Sequence, residues 1–307
     1  MNGILVLDKP SGMTSNAALQ RVKRLYRAQK AGHTGALDPL ATGVLPVCLG
    51  QATKLSGYLL DADPRYHVRA ALGACTTPGD AEGEVTRRSD ASRLTRERLE
   101  AALPAFTGDI RQRPPMYSAL KRDGKPLYEL ARAGIEVERQ ERPVRIHALR
   151  LVAFEAGAAG SAAFELDVRC SKGTYVRTLV EDLAAAAGQC AHVADLRRLE
   201  AGPFREADLV AAQTLEQAAG EGPAALDALL LPPLAGLAAW PRVEVDPGRA
   251  ARLARGQAVE APAAVTDAPC LVAVTGAGGA LLGIAERGPD GRLAPRRWLT
   301  GGSAETP

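Results

Sequence analysis

The segment GHTGALDPLATGVLP, from Gly32 to Pro46, constrains this 307-residue chain more than any other. It holds three glycines, two prolines, one histidine and a single carboxylate, Asp38. Glycine allows positive φ and close backbone approach, whereas proline fixes φ and lacks an N–H. Asp38 precedes Pro39 and is steered away from the helical region. The segment therefore predicts a tightly shaped loop with Asp38 at its bend. An Asp-Pro pair is an ordinary turn former, but a lone carboxylate in a rigid loop equally suits a nucleophile or base held in a cleft. Spacing alone leaves both readings open.

The flanking segments predict an alternation of strands and helices. Ile4–Leu7 reads as a strand, and Asp8-Lys9-Pro10-Ser11-Gly12-Met13-Thr14-Ser15 as a strand-to-helix turn with Thr14 or Ser15 as the cap. Leu19, Val22 and Leu25 recur at helical spacing and leave Arg21, Lys23, Arg24 and Arg27 outward. The cap explains Thr14 and Ser15 and leaves Lys9 unexplained. Tyr66–Leu72 alternates as a strand, with Tyr66 a candidate core aromatic. Asp80, Glu82 and Glu84 lie in a glycine-containing loop without the ligand spacing of an EF-hand, so a solvated loop is expected. Thr95 is placed to cap a helix with Leu99, Ala102, Leu103 and Phe106 on one face.

Overall charge says little about partners: the net charge is +3. Its distribution says more. Five basic residues and no acid lie between Arg21 and Lys30, and ten basic against five acidic residues lie between Arg111 and Arg150. Clustered cations can line a phosphate backbone, and they can equally be a solvated face. Within the second cluster, Gln112–Lys121 and Gly124–Arg132 interleave prolines, two tyrosines and cations. This suits either an arm that stacks on and grips RNA or a proline-punctuated connection with one amphipathic helix. Val144–Val152 and Ala163–Cys170 read as strands. The second feeds Ser171-Lys172-Gly173-Thr174-Tyr175 and a helix over about 176–187.

Pro232, Pro233 and Pro241 mark a seam. Beyond it, Asp246-Pro247 is expected to start a short helix that ends before Gly256, and 270–275 and 281–285 read as strands. The five dispersed cysteines form no ligand pattern and predict reduced thiols. With neither a signal peptide nor a run of apolar residues long enough to span a bilayer, the chain is expected to be cytoplasmic.

Four strings resemble the motifs of the TruB family of tRNA pseudouridine synthases: Lys9-Pro-x-Gly-x-Thr-Ser15, the Asp38 loop, Thr76-Thr77-x-Gly79-Asp80-x-Glu82-Gly83, and Ser171-Lys-Gly-Thr-Tyr175-Val-Arg177-Thr-Leu179. The segments 112–132 and Ala191–Leu199 extend the match. The resemblance implies an α+β fold: a pseudouridine-synthase catalytic domain at 1–240 around a mixed, mainly antiparallel sheet, with a thumb-like insertion at about 112–143. A small β-rich PUA-like RNA-binding domain at 241–300 and a disordered tail at 301–307 would follow.

The resemblance also implies roles. Asp38 is the catalytic aspartate, with Arg177 holding it and Tyr175 packing nearby. Tyr66 stacks on the base, although Arg65-Tyr66 stands where the family usually has lysine then tyrosine. Leu196 packs beside the base, Lys9 supports the architecture, and His33 acts within the T loop. The implied partner is the T arm of tRNA. No cofactor and no metal is implied, and a monomer free of membranes is expected. The insertion is expected to order on RNA.

Two other function classes fit parts of the sequence. A tRNA-binding or tRNA-folding chaperone fits the basic segments and the C-terminal domain, but leaves Asp38, Tyr66 and Arg177 without a purpose. A phosphotransferase with an aspartate nucleophile lacks a second carboxylate two residues from Asp38 to hold magnesium.

Overall fold

In the computed structural model, residues 2–60, 63–157, 162–262 and 269–299 are described. The expected tail at 301–307 lies outside them. Ten strands make the main sheet: β1 (Gly3–Lys9), β2 (Ala31–His33), β3 (Thr42–Leu49), β4 (Pro64–Leu72), β5 (Gly108–Gln112), β6 (Arg142–Glu155), β7 (Ala163–Cys170), β8 (Ala191–Ala201), β9 (Phe204–Arg205) and β10 (Val210–Ala211). Their order is β10-β1-β3-β8-β4-β7-β6-β5, with β2 on β3 and β9 on β8. The pairs β1/β10 and β8/β3 are parallel and the others antiparallel. The sheet is thus mixed and mainly antiparallel, as expected.

Alternation explains the strands. In β4 the buried residues are Tyr66, Val68, Ala70 and Leu72, which is period two with one face on the core. The helices Ser15–Leu25 and Val176–Ala186 cover that face through Ala18, Leu19, Val22, Leu179, Val180 and Leu183. The first starts at Thr14, whose hydroxyl accepts from the Ala17 N–H at 3.1 Å. Thr95 caps Arg96–Ala102 in the same way.

The segment expected to be one loop is shorter than its sequence suggested. Gly32 and His33 belong to β2 and Thr42–Pro46 to β3, which leaves a loop of Thr34–Ala41. Gly43 sets the junction. Its φ is +94°, and a Cβ there would lie 2.2 Å from the Arg198 carbonyl oxygen. Only glycine lets β3 pass β8 so closely. Gly43→Ala is expected to cost about 3 kcal/mol or more, combining left-handed strain with a backbone clash. Denaturant unfolding checks it, and a loss below about 0.5 kcal/mol would show that the close approach relaxes freely.

The insertion holds a hairpin, Lys121–Arg122 with Lys125–Pro126, and a short helix, Leu127–Arg132. Asp123 and Gly124 turn it with φ of +50° and +81°, the geometry that an Asp-Gly pair favours.

A five-stranded sheet follows the prolines: β11 (Arg242–Glu244), β12 (Val259–Glu260), β13 (Cys270–Thr275), β14 (Leu281–Arg287) and β15 (Arg292–Trp298), in the order β11-β13-β14-β15-β12. Between β11 and β12, Asp246 caps the helix Pro247–Ala254, as its sequence predicted. Ala273 and Ile284 of this sheet share a core with Ile4, Val6, Val44 and Leu237 on the second face of the main sheet. Lys54 also donates to the Trp298 carbonyl at 2.9 Å. No helix among the described residues is long and apolar enough to cross a membrane.

Candidate active site

Between β2 and β3 the loop turns at Asp38, whose carbonyl accepts from the Ala41 N–H at 3.1 Å. The turn after β1 holds it in place. Lys9, 0% exposed, donates its three ammonium protons to the carbonyls of Pro10, Met13 and Pro39 at 2.9, 2.6 and 3.1 Å. Three acceptors match three donors, so a buried cation is fully satisfied. Burial draws its pKa down to about 8, with Glu82 and Asp38 raising it and Arg198 lowering it, which leaves an ammonium at neutral pH. Ser15 clasps Leu37, donating to its carbonyl at 3.1 Å and accepting from its N–H at 2.7 Å. Ser11 donates to the Leu40 carbonyl and the Gly12 N–H to that of Pro39. The first motif is thus the frame of the aspartate loop.

Arg177 meets Asp38 from the first turn of the helix Val176–Ala186. Its Nε donates to Oδ2 at 2.8 Å and its Nη2 to Oδ1 at 2.9 Å. This is a bidentate fork, which fixes the carboxylate plane as well as its position. Of the three remaining guanidinium protons, one goes to the carbonyl of Pro78 at 2.6 Å and one to that of Tyr117 at 2.8 Å. The Arg177 side chain is 5% exposed and that of Asp38 is 36%. The carboxylate therefore opens to solvent while its partner is sealed behind it.

Burial pushes the Asp38 carboxyl above its ordinary range. Arg177 opposes this by charge and hydrogen bonding, Asp80 adds to it, and Lys9 opposes it. Glu82, Tyr66 and Tyr175 also feel the Asp38 charge.

Asp80 corrects one expectation. The acidic loop is not wholly solvated: Glu82 and Glu84 are exposed, but Asp80 is 3% exposed. Its Oδ2 lies 3.7 Å from Arg177 Nη1, and its Oδ1 accepts from the Glu82 N–H at 3.0 Å. A carboxylate beside a buried guanidinium has reason to turn inward. On the same helix, Glu181 is pushed up to about 7 by burial and by Asp182, with Arg177 opposing and Asp80 adding to the rise.

Tyr66 lies opposite Arg198 across the β4/β8 pair, and Leu196 opposite Val68. All of these residues face the core. Burial raises the Tyr66 hydroxyl, and Arg198 opposes that by charge and hydrogen bonding. Arg198, itself buried, donates to the carbonyls of Val44 at 2.7 Å and Gly35 at 3.1 Å. It pins the other side of the aspartate loop. His33 is half-buried in β2, and its Nδ1 is buried without a hydrogen-bond partner. Burial and the charge of Arg198 hold its pKa below the ordinary value, which favours the neutral ring. Tyr175 precedes the helix that carries Arg177, and burial raises its hydroxyl.

The structure thus gathers Asp38, Arg177, Lys9, Tyr66 and Tyr175 into one electrostatic neighbourhood, with His33 beside Arg198 and Leu196 diagonal to Tyr66. Sequence reasoning missed Asp80, Gln112 and Arg198. Arg198 gave no simple signal, because β8 slips register between Val193 and Asp195 and alternation from its start points to Arg197.

Three family models match successive segments of the chain. Residues 23–176 match the TruB family pseudouridylate synthase N-terminal domain, 177–237 the tRNA pseudouridylate synthase B C-terminal domain, and 241–299 the pseudouridine synthase II TruB C-terminal domain. The chain is 56% identical over 300 residues to tRNA pseudouridine synthase B of Stutzerimonas stutzeri (strain A1501), covering 97% of this chain and 96% of that one. It is 54% identical over 302 residues to the protein of the same name from Pseudomonas aeruginosa (strain UCBPP-PA14), with the same coverage. Its fold matches solved chains in a Cbf5–Nop10–Gar1 complex (TM-score 0.72, 23% identity, 97% of this chain and 84% of that chain) and in an H/ACA RNP bound to a substrate RNA containing 2′-deoxyuridine (TM-score 0.73, 21% identity, 97% and 85%). An α+β pseudouridine-synthase fold with a β-rich C-terminal domain, matched by family models along nearly its whole length, places the chain in the TruB family of pseudouridylate synthases.

Proposed function

We propose that the chain is a tRNA pseudouridine synthase, an isomerase that converts the T-loop uridine at position 55 of tRNA to pseudouridine with Asp38 as its catalytic group. The observation that carries the reading is the half-open carboxylate of Asp38 held in the fork of a sealed Arg177. In a bare turn, Asp-Pro needs no such partner.

The target base is stacked within a folded loop, so it must be turned out into the pocket. The C1′–N1 bond breaks and the freed uracil rotates; C5 then bonds to C1′, which frees Asp38 from C1′ or returns the sugar proton it took, and the C5 proton leaves for water while N1 takes one up. Asp38 serves this by attacking C1′ or by taking a sugar proton; either route ends in release of uracil. Tyr66 stacks on the base and Leu196 packs beside it, while Arg177 aligns Asp38 and Tyr175 packs against the pair. Lys9 frames the loop, and His33, with its neutral ring, acts within the T loop. The isomerisation is redox-neutral, and the family resemblance implies neither cofactor nor metal.

The insertion 112–143 and the basic helix Ser15–Leu25 grip the T arm, and the domain from about 241 adds a PUA-like contact. The insertion tightens on RNA. The protein acts as a cytoplasmic monomer.

Tritium release from a tRNA transcript labelled at uridine C5 tests the reading. Wild-type protein should release tritium, and changing the T-loop uridine to cytidine should remove that site's share. Tight tRNA binding without release would replace the enzyme reading with an RNA-binding or RNA-folding one.

A further inference from the structure

The insertion leaves the main sheet at Gln112, the last residue of β5, and returns at Arg142, which pairs with it across β5/β6. Gln112 is 2% exposed. Its Oε1 accepts from the Tyr175 N–H at 3.0 Å and its Nε2 donates to the Tyr175 carbonyl at 3.3 Å. One orientation of the amide satisfies both bonds, as a neighbouring strand would.

Tyr175 stands before the helix Val176–Ala186, and its side chain makes no capping bond. Its carbonyl also accepts from the Leu179 N–H at 3.0 Å, the first bond of the helix. Fixing both polar groups of this residue fixes where the helix begins, and Arg177 follows two residues later. Five residues beyond Gln112, the Tyr117 carbonyl accepts from Arg177 itself. The root of the insertion is therefore stitched to the helix start at two points, one of them on the side chain that holds Asp38.

We infer that Gln112 is a positioning residue for the isomerisation, joining the RNA-gripping insertion to the Arg177–Asp38 pair through the backbone of Tyr175. The inference rests on the reading of Asp38 as the catalytic carboxylate. It gives the insertion a second task beside grip: seating it on RNA sets the helix start, and with it the register of the fork on the carboxylate. Errors of about 1 Å in such alignment cost about 100-fold in rate.

Two variants test it. Gln112→Met keeps the volume with neither donor nor acceptor, and Gln112→Glu keeps the acceptor for the Tyr175 N–H. Single-turnover tritium release, tRNA Kd and the pH dependence of the rate are measured beside wild type. For Gln112→Met the rate should fall about tenfold or more, with Kd within about twofold of wild type. The acid limb of its pH profile should move to higher pH, because a loosened Arg177 no longer holds the Asp38 carboxyl down. Lys9, Asp80, Glu82, Tyr66 and Tyr175, which also face Asp38, are unchanged in both variants. Gln112→Glu should lie between Gln112→Met and wild type.

A Met variant with wild-type rate and unmoved acid limb, or with its loss confined to Kd, overturns the inference. Should that variant fail to fold, Gln112→Glu decides on rate against Kd alone, since its added carboxylate would itself move the acid limb. An inactive wild type would instead overturn the proposed reaction, which a slow variant beside an active wild type leaves standing.

Discussion

Asp38→Asn is expected to lower the single-turnover rate of tritium release by at least about 10⁴-fold, roughly 5.4 kcal/mol of transition-state stabilisation, while tRNA Kd stays within about threefold. The substitution is isosteric and the loop keeps its frame, because Lys9, Ser11 and Ser15 bind backbone atoms of residues 37, 39 and 40 and none of them touches the Asp38 carboxylate. An amide is neither a nucleophile nor a base, so the step that frees uracil loses its agent. Affinity is expected to be spared because phosphate contacts supply most of it, and in the proposed reading these come from the basic segments away from Asp38. Residual activity within about tenfold of wild type, a barrier change near 1.4 kcal/mol, would remove Asp38 from the central role.

Arg177→Lys should lower the rate by about 10²- to 10³-fold, about 3–4 kcal/mol, and shift the acid limb of the rate profile to higher pH. Lysine keeps the charge but cannot fork onto both carboxylate oxygens. It also leaves the carbonyls of Pro78 and Tyr117 short of their donors. The sign of the shift follows from opposing forces on Asp38. Burial favours the protonated acid, and Arg177 favours the carboxylate by charge and hydrogen bonds. Weakening the second lets the first raise the pKa, so activity that needs the carboxylate is lost earlier as pH falls. A variant with a lowered rate and an unmoved limb would show that Arg177 acts on RNA rather than on Asp38. Both profiles come from the same tritium assay run across pH.

Much of this site was legible in the sequence, though unevenly. The Asp38 loop, Lys9, Tyr66, Tyr175 and Arg177 stand in continuous strings, and Thr14, Thr95 and Asp246 follow local capping rules that need no tertiary knowledge. Asp80 was misread because an acidic, glycine-containing loop ordinarily faces water; its inward turn depends on a guanidinium 97 positions later in the chain. Arg198 was hidden by a bulge. In β8 the buried set is Ala191 and Val193, then Leu196 and Arg198, with the register slipping between Val193 and Asp195. One extra residue changes the phase while the face is kept, so simple alternation points to Arg197 instead. Gln112 gave no signal, since a buried amide is defined by its partner. The hairpin at Asp123-Gly124 could have been read from turn chemistry. The packing of the second sheet on the first could not: Ile4, Val44, Ala273 and Ile284 look like core residues of any kind.

The strand order bears on how the protein comes into being. Strand β4 lies between β7 and β8, and β1 between β3 and β10, so the sheet cannot close before residue 211 has been made. The carboxylate at 38 meets its guanidinium across 139 positions. Such distant pairing is slow and leaves open edges in the meantime. A nascent chain therefore carries the Asp38 loop through the next 139 residues of synthesis with no partner for the acid. The competent centre arises late and all at once, so fragments ending before β8 should be inert however well their helices form.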